Sequence, residues 1–310
     1  MNVYGSVHEL IGNTPVVELK NIEIPNHCRI FAKLEFMNPG GSVKDRLGLS
    51  LLRDAEESGQ LQPGGTIIEP TAGNTGIGLA LAAVGKGYTV KFVVPQKFSL
   101  EKQTLMRALG AEIVNTPTEL GMKGAIAKAE ELVQKIPGAF SPSQFSNPAN
   151  PETYVKTLGP ELWRDLDGKI DVFVAGAGSG GTFMGTAKYL KSQNADIKTV
   201  IVEPEGSILN GGEPGSHYTE GIGMEFLPGY MEKAYFNAIH TVTDQDAFDK
   251  LRQLSKEEGL LVGSSSGAAL FASLEEAKVA KPGSHIVTIF ADSSERYLSQ
   301  NVYELLKEED

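Results

Sequence analysis

Four stretches of this 310-residue chain gather residue types able to handle a small charged molecule. The first, Asn38-Pro39-Gly40-Gly41-Ser42-Val43-Lys44-Asp45-Arg46, sets a lysine just after two glycines that free the backbone to turn. Ser42 stands three residues before Asp45, a spacing that predicts a capping box opening a helix to about Ser58. Lys44 then lies in the first turn, where the helix dipole disfavours its ammonium form. With desolvation added, such an amine is a candidate Schiff-base nucleophile. Without it, Lys44 is an ordinary solvated lysine on a capped surface helix.

The second stretch is Pro70-Thr71-Ala72-Gly73-Asn74-Thr75-Gly76-Ile77-Gly78. Its hydroxyls, amide and backbone N–H groups at a helix start are the ingredients of an anion site, or of a plain strand-to-helix turn with an Asx cap. The third, Gly176-Ala177-Gly178-Ser179-Gly180-Gly181-Thr182, follows an apolar strand and reads as a phosphate cradle. It also satisfies G-x-G-x-x-G, and Glu203 ends the next strand where a dinucleotide fold sets its ribose acid, so a nicotinamide oxidoreductase is a rival reading. The fourth is the serine loop Gly263-Ser264-Ser265-Ser266-Gly267.

The elements that must position these loops alternate. Strands are predicted at Arg29 to Phe36, Thr66 to Glu69, Val90 to Val94, Glu112 to Asn115, Ile170 to Ala175, Thr199 to Val202 and His285 to Phe290. Between them, helices are predicted at Leu100 to Leu109, Met122 to Lys135, Glu152 to Trp163 and Asp244 to Glu258, with others after each loop and at the C-terminus. That alternation signals βαβ units and mainly parallel sheets. The turn formers from Gln144 to Pro151 mark a return between domains, and residues 204 to 231 form a long loop region.

Composition narrows the function classes. The chain carries 28 basic against 39 acidic residues, a net charge of −11 with no basic run, which argues against a nucleic-acid partner. The lone Cys28 allows no internal disulfide and reads as a small buried hydrophobe. The five histidines have no metal-ligand spacing, so no metal is expected. No basic-then-apolar leader pattern and no stretch of membrane-spanning length is present, so no membrane association and a cytoplasmic location are expected.

Taken together, Ser42-Val43-Lys44-Asp45-Arg46, Thr71-Ala72-Gly73-Asn74-Thr75-Gly76, Gln144-Phe145 with Asn147-Pro148, and Gly178-Ser179-Gly180-Gly181-Thr182 resemble, in order, the patterns of the cysteine synthase and cystathionine β-synthase family. These are the fold-type II pyridoxal 5′-phosphate enzymes. The resemblance spans nearly the whole chain. It implies an α/β, tryptophan synthase β-like fold of two three-layer α/β/α domains with mainly parallel sheets. Residues 1–38 plus 147–310 would form a larger cofactor-binding domain, and 39–146 a smaller mobile domain that closes over substrate.

The resemblance also implies roles. Lys44 carries the cofactor as a Schiff base and takes the α-proton; Asn74 bonds the cofactor's 3′-oxygen; Gly178, Ser179, Gly180, Gly181 and Thr182 hold its phosphate; Ser265 meets its pyridine nitrogen. Thr71, Ala72, Asn74, Thr75, Gln144 and Gly221 line the amino-acid substrate, with Glu220 a further candidate for the acceptor's ammonium or else a rim residue. His217 lies beside that loop, and Asp292 either orients the ring region or caps the last helix. The implied reaction is β-replacement on O-acetyl-L-serine with L-homocysteine as acceptor, giving L-cystathionine. Sulfide as acceptor, giving L-cysteine, is the alternative, and a serine or threonine dehydratase a further one. A homodimer and small-molecule amino-acid and thiol substrates are implied as partners. Ala72 stands where plain cysteine synthases resembling this chain usually carry serine. Residues 203–209, 220–223 and Asp292-Ser293 look like cystathionine β-synthase, whereas Glu295-Arg296-Tyr297-Leu298 looks like cysteine synthase.

Overall fold

Apolar runs such as Val172-Phe173-Val174-Ala175 become strands buried residue after residue, the pattern of parallel strands covered on both faces. The computed structural model describes residues 3–96 and 98–306. In chain order its strands are β1 (Val16–Glu18), β2 (Arg29–Leu34), β3 (Thr66–Pro70), β4 (Thr89–Pro95), β5 (Glu112–Thr116), β6 (Ala139–Phe140), β7 (Val172–Gly176), β8 (Lys198–Pro204), β9 (Ala238–Val242) and β10 (His285–Phe290). The α-helices are α1 (Lys44–Glu57), α2 (Asn74–Ala83), α3 (Leu100–Ala108), α4 (Gly121–Lys135), α5 (Ala149–Lys156), α6 (Leu158–Asp165), α7 (Gly181–Gln193), α8 (Asp244–Gln253) and α9 (Ser264–Val279).

The chain divides into two compact units: Met1–Ile11 with Lys44–Asn150, and Gly12–Val43 with Pro151–Asp310. Residues 1–11 cluster with the first unit, where the sequence division groups them with 12–38. His8 is tied there, its ring nitrogen bonding Leu81 O at 2.8 Å. The first unit's sheet runs β5-β4-β3-β6, every pair parallel. Ala125 and Ala129 of α4 pack on Ile68 and Val93 of that sheet. The second unit's sheet runs β1-β2-β10-β7-β8-β9, parallel except for the β1–β2 pair. Phe248 and Leu251 of α8 and Ala268, Ala269 and Ala272 of α9 share one core with Val174, Val200 and Ile286 of that sheet. Cys28 is buried in the same core. Two mainly parallel α/β units are the architecture expected from the alternation.

Helix α1 opens at Lys44, and Ser42 just ahead of it pairs in an extended bridge with Asp292. Three local expectations are corrected. The helix predicted over 152–163 is two, α5 and α6, broken at Thr157. Pro160 has no N–H and its ring would clash with the carbonyl four residues back, at Lys156. The serine loop is helical: Ser264 to Gly267 form the first turn of α9, entered through extended Gly263. The C-terminal helix is instead two short 3-10 turns, Ser294–Arg296 and Leu298–Gln300. No helix among the described residues is long and apolar enough to cross a membrane.

Candidate active site

In the first unit, Lys44 opens α1, whose Gly48 lies against Gly78 of α2. A Cβ on Gly48 would stand 2.6 Å from Leu79 N, and one on Gly78 would stand 2.8 Å from the carbonyl carbon of Lys44. Two glycines therefore let the helix backbones touch, and the touch point is Lys44 itself. Lys44 is partly buried, and desolvation lowers its amine from the ordinary lysine range to about 8. The sequence alternatives for this residue divide on that point, and the surface-lysine alternative loses its premise.

The same unit assembles the polar loop. Asn74 is the first residue of α2, with extended Gly73 in the capping position and no side-chain cap there. Thr71 and Thr75 are buried, while Ala72 and Asn74 are partly exposed. Thr75 Oγ1 donates to Gln144 Oε1 at 2.8 Å, joining the two stretches expected around a substrate carboxylate. Gln144 is fixed on its other side by Asn150 Nδ2, which donates to its carbonyl at 2.8 Å.

Glu69, at the end of β3, is a residue the sequence reading passed over. It is 1% exposed, and its carboxylate accepts from Ser141 Oγ (3.1 Å), Ser143 N (3.0 Å) and Gln144 N (3.2 Å). Burial pushes its carboxyl up, against the pull of those three donors. The available signal was an acidic residue closing an otherwise apolar strand just before proline, and it occurs again at Glu203-Pro204.

In the second unit, β7 runs into Ala177-Gly178-Ser179-Gly180 and the first turn of α7. Gly180 has a left-handed φ of 83° and packs against Met224 and Met231. A Cβ on Gly178 would stand 3.2 Å from Gly221 C and closer still to its oxygen, so the cradle requires glycine. Gly223 N donates to Ala177 O at 2.9 Å, and Tyr230 OH donates to Ser179 O at 2.7 Å. Ser179 is buried and Thr182 half-buried, both beside the N–H groups of a 13-residue helix.

Glu203 does not suit a ribose-binding role. It is fully buried, and its two oxygens accept from Leu209 N at 2.9 Å and Asn210 N at 2.8 Å. That use of the carboxylate removes one of the two observations on which the nicotinamide reading stood, leaving the glycine motif alone. The loop it anchors continues through Ser207, whose Oγ accepts from Met224 N at 2.9 Å.

Ser265 is buried in the first turn of α9. Its neighbour Ser264 accepts from Glu220 N at 3.1 Å, and the Glu220 carboxylate accepts from Gln300 Nε2 at 2.7 Å. Ser266 Oγ is buried and meets no hydrogen-bond partner among the described residues. Gly263 N donates to Asp292 O at 3.0 Å, and Tyr297 OH donates to the Asp292 carboxylate. Burial and that carboxylate hold the Tyr297 hydroxyl well above its ordinary pKa. Asp292 does not cap the following turn; Ser293 Oγ does, accepting from Glu295 N at 3.2 Å. The His217 ring lies against Gly223 with Nδ1 buried. Among the described residues, no group of three or more acidic, histidine or cysteine side chains is placed to hold a metal ion.

Comparison with known proteins fits this arrangement. The pyridoxal-phosphate dependent enzyme family matches residues 7–292. The chain is 60% identical over 304 residues to an O-acetylserine dependent cystathionine β-synthase of Bacillus subtilis, covering 98% of this chain and 99% of that one. It is 52% identical to a cysteine synthase of Helicobacter pylori, covering 98% of this chain and 100% of that one. The crystal structure of an O-acetylserine dependent cystathionine β-synthase from Helicobacter pylori superposes with a TM-score of 0.94 at 51% identity, over 98% of this chain and 100% of the other. The chain thus belongs to the pyridoxal-phosphate dependent enzymes, within their cysteine synthase and cystathionine β-synthase group.

Proposed function

We propose that this enzyme catalyses β-replacement on O-acetyl-L-serine, expelling acetate from the β-carbon and joining L-homocysteine sulfur there to give L-cystathionine. The residues fit pyridoxal 5′-phosphate: a desolvated lysine amine, a glycine-only cradle at the start of α7, and a buried, partnerless Ser266 hydroxyl beside Ser265. When bound, that cofactor supplies the electron sink that makes the substrate's α-proton removable.

In this reading Lys44 would hold the cofactor covalently and move the α-proton. Asn74 would donate to the cofactor's 3′-oxygen, and Gly178, Ser179, Gly180, Gly181 and Thr182 would take its phosphate. Ser265 would meet the ring nitrogen. A neutral hydroxyl cannot hold that nitrogen protonated as a carboxylate would, and this weaker sink suits elimination better than transamination. Thr71, Ala72, Asn74, Thr75, Gln144 and Gly221 bind the substrate carboxylate, and Glu220 attracts the acceptor's ammonium. The protein works as a cytoplasmic homodimer; sedimentation at a mass near 33 kDa would refute the dimer.

The single observation that carries the reaction class is the desolvated Lys44 amine, at about 8, on a residue whose backbone packs against Gly78 of α2. The acceptor rests on the 60% identity to the Bacillus subtilis enzyme. A second reading, with sulfide as acceptor and L-cysteine as product, draws on the 52% identity to a protein named cysteine synthase. Product analysis with O-acetyl-L-serine and each acceptor separately decides. A higher kcat/KM for homocysteine, with cystathionine as product, is expected; dominant cysteine formation overturns the first reading. Glu220→Gln lowers kcat/KM for homocysteine and spares sulfide if the ammonium pairing holds.

A further inference from the structure

We infer that Glu69 is a positioning residue for the substrate carboxylate: by gripping Ser141, Ser143 and Gln144 it holds the Gln144 side chain in register with Thr75. The inference rests on the proposed role of Thr75 and Gln144 in substrate binding. Glu69 is the penultimate residue of β3, two residues before the Thr71-to-Thr75 loop begins, and is 1% exposed. Its two oxygens each take one of two consecutive backbone N–H groups, Oε2 from Ser143 at 3.0 Å and Oε1 from Gln144 at 3.2 Å. Ser141 Oγ adds a third bond at 3.1 Å. Ser143 has a left-handed φ of 53°, a conformation that a non-glycine residue holds only when its surroundings fix it. The bend delivers the Gln144 amide oxygen to Thr75 Oγ1 at 2.8 Å. One buried carboxylate thus ties together two stretches separated by about seventy residues of sequence.

The other strand-end Glu-Pro pair uses the same device. Glu203 takes the consecutive N–H groups of Leu209 and Asn210, at 2.9 and 2.8 Å, and thereby sets the loop that leads to Met224. In both cases the carboxylate accepts from two consecutive main-chain N–H groups, so it fixes the course of the loop that follows.

Glu69→Gln keeps the volume but turns an amide NH2 toward a backbone N–H, so one of the paired bonds becomes donor against donor. The expected result is a rise of about tenfold in KM for O-acetyl-L-serine with kcat within about twofold. The dissociation constant for L-alanine, which has the carboxylate and no leaving group, rises by the same factor in equilibrium titration. Because Glu69 acts through Gln144, the same substitution in a Gln144→Ala background adds less than about twofold. A purely structural role would lower the melting temperature and multiply fully in the double variant. Unchanged KM and L-alanine binding in Glu69→Gln, or full multiplication, overturns the inference while leaving the proposed function standing. If Gln144→Ala alone leaves both constants unchanged, the substrate-binding role of Gln144 fails first and carries this inference with it. Should Glu69→Gln not fold, Ser141→Ala removes one of the three bonds, and a rise of about twofold to threefold in both constants is required of it.

Discussion

Replacing Gly78 by alanine sets two known effects against each other. Gly78 lies inside α2, where glycine to alanine ordinarily stabilises a helix by about 1 kcal/mol. Here the new Cβ would stand 2.8 Å from Lys44 C and 3.1 Å from Asp45 N, and nearer still to Lys44 O. All three are backbone atoms at the start of α1, so no side chain can rotate away. Ordinary contact begins near 3.4 Å, so α1 and α2 must part by several tenths of an ångström or more. Overpacking of that kind costs about 1–3 kcal/mol, and without a flexible neighbour the upper half of that range applies. The clash therefore outweighs the propensity gain and leaves a net loss of about 1–2 kcal/mol. The displaced group is the backbone of Lys44, so activity suffers beyond stability: a misplacement approaching 1 Å lowers kcat/KM by up to about 10²-fold. Urea unfolding and steady-state kinetics measure the two effects. Gly229→Ala, whose Cβ meets nothing within 4 Å, is the control and stays within about 0.5 kcal/mol of the parent. A Gly78→Ala protein as stable as the parent and equally active would refute the claim that this crossing positions Lys44.

Other outcomes follow from the same geometry. In cofactor-free protein, the Lys44 amine should acylate with a midpoint near pH 8. At pH 7 its neutral fraction then exceeds that of an ordinary lysine by roughly 300-fold; competitive labelling with acetic anhydride checks this, and a midpoint near 10.5 refutes it. Gly178→Ala should weaken pyridoxal phosphate binding by about tenfold in absorbance titration, since its Cβ meets Gly221 backbone. Unchanged affinity would show that the cradle does not hold the phosphate. Lys33 is fully buried and bonds Glu161 at 3.0 Å, Asp165 at 2.8 Å and Thr14 O at 2.6 Å. Lys33→Ala takes the buried cation from between Glu161 and Asp165 and should cost about 3 kcal/mol in urea unfolding, the low end for a broken buried pair because Asp165 keeps Arg164, whereas a loss under 1 kcal/mol would contradict the buried pairing.

The sequence carried the architecture where the physics was local. Apolar runs located β3, β4, β7 and β10, and the glycine-bearing turns after β3 and β7 gave the candidate loops at Thr71 to Gly76 and Gly178 to Thr182. The short strands were harder to read. β6 has two residues, and β9 carries His240 within a half-buried Ala238-Ile239-His240 run, followed by exposed Thr241, that lacks a clean periodicity. Serines 264 to 266 read as a loop because serine favours turns, yet burial of the whole segment makes it the first turn of α9. The burial of Glu69 and Glu203 was out of reach for a related reason. Their donors lie on loops 72 or more and 6 or more residues away, so only the folded chain reveals what each carboxylate holds. The desolvation of Lys44 likewise depends on neighbours brought by tertiary packing, not on its flanking residues.

The proposed chemistry requires Lys44 to be the residue that carries pyridoxal phosphate. Borohydride reduction of the cofactor-loaded protein, followed by peptide mass mapping, identifies the lysine that does. One reduced pyridoxyl group is expected, on Lys44, with no label and no visible absorbance band in Lys44→Ala. A label on a different lysine, or a Lys44→Ala protein that keeps both the band and full turnover, would contradict it.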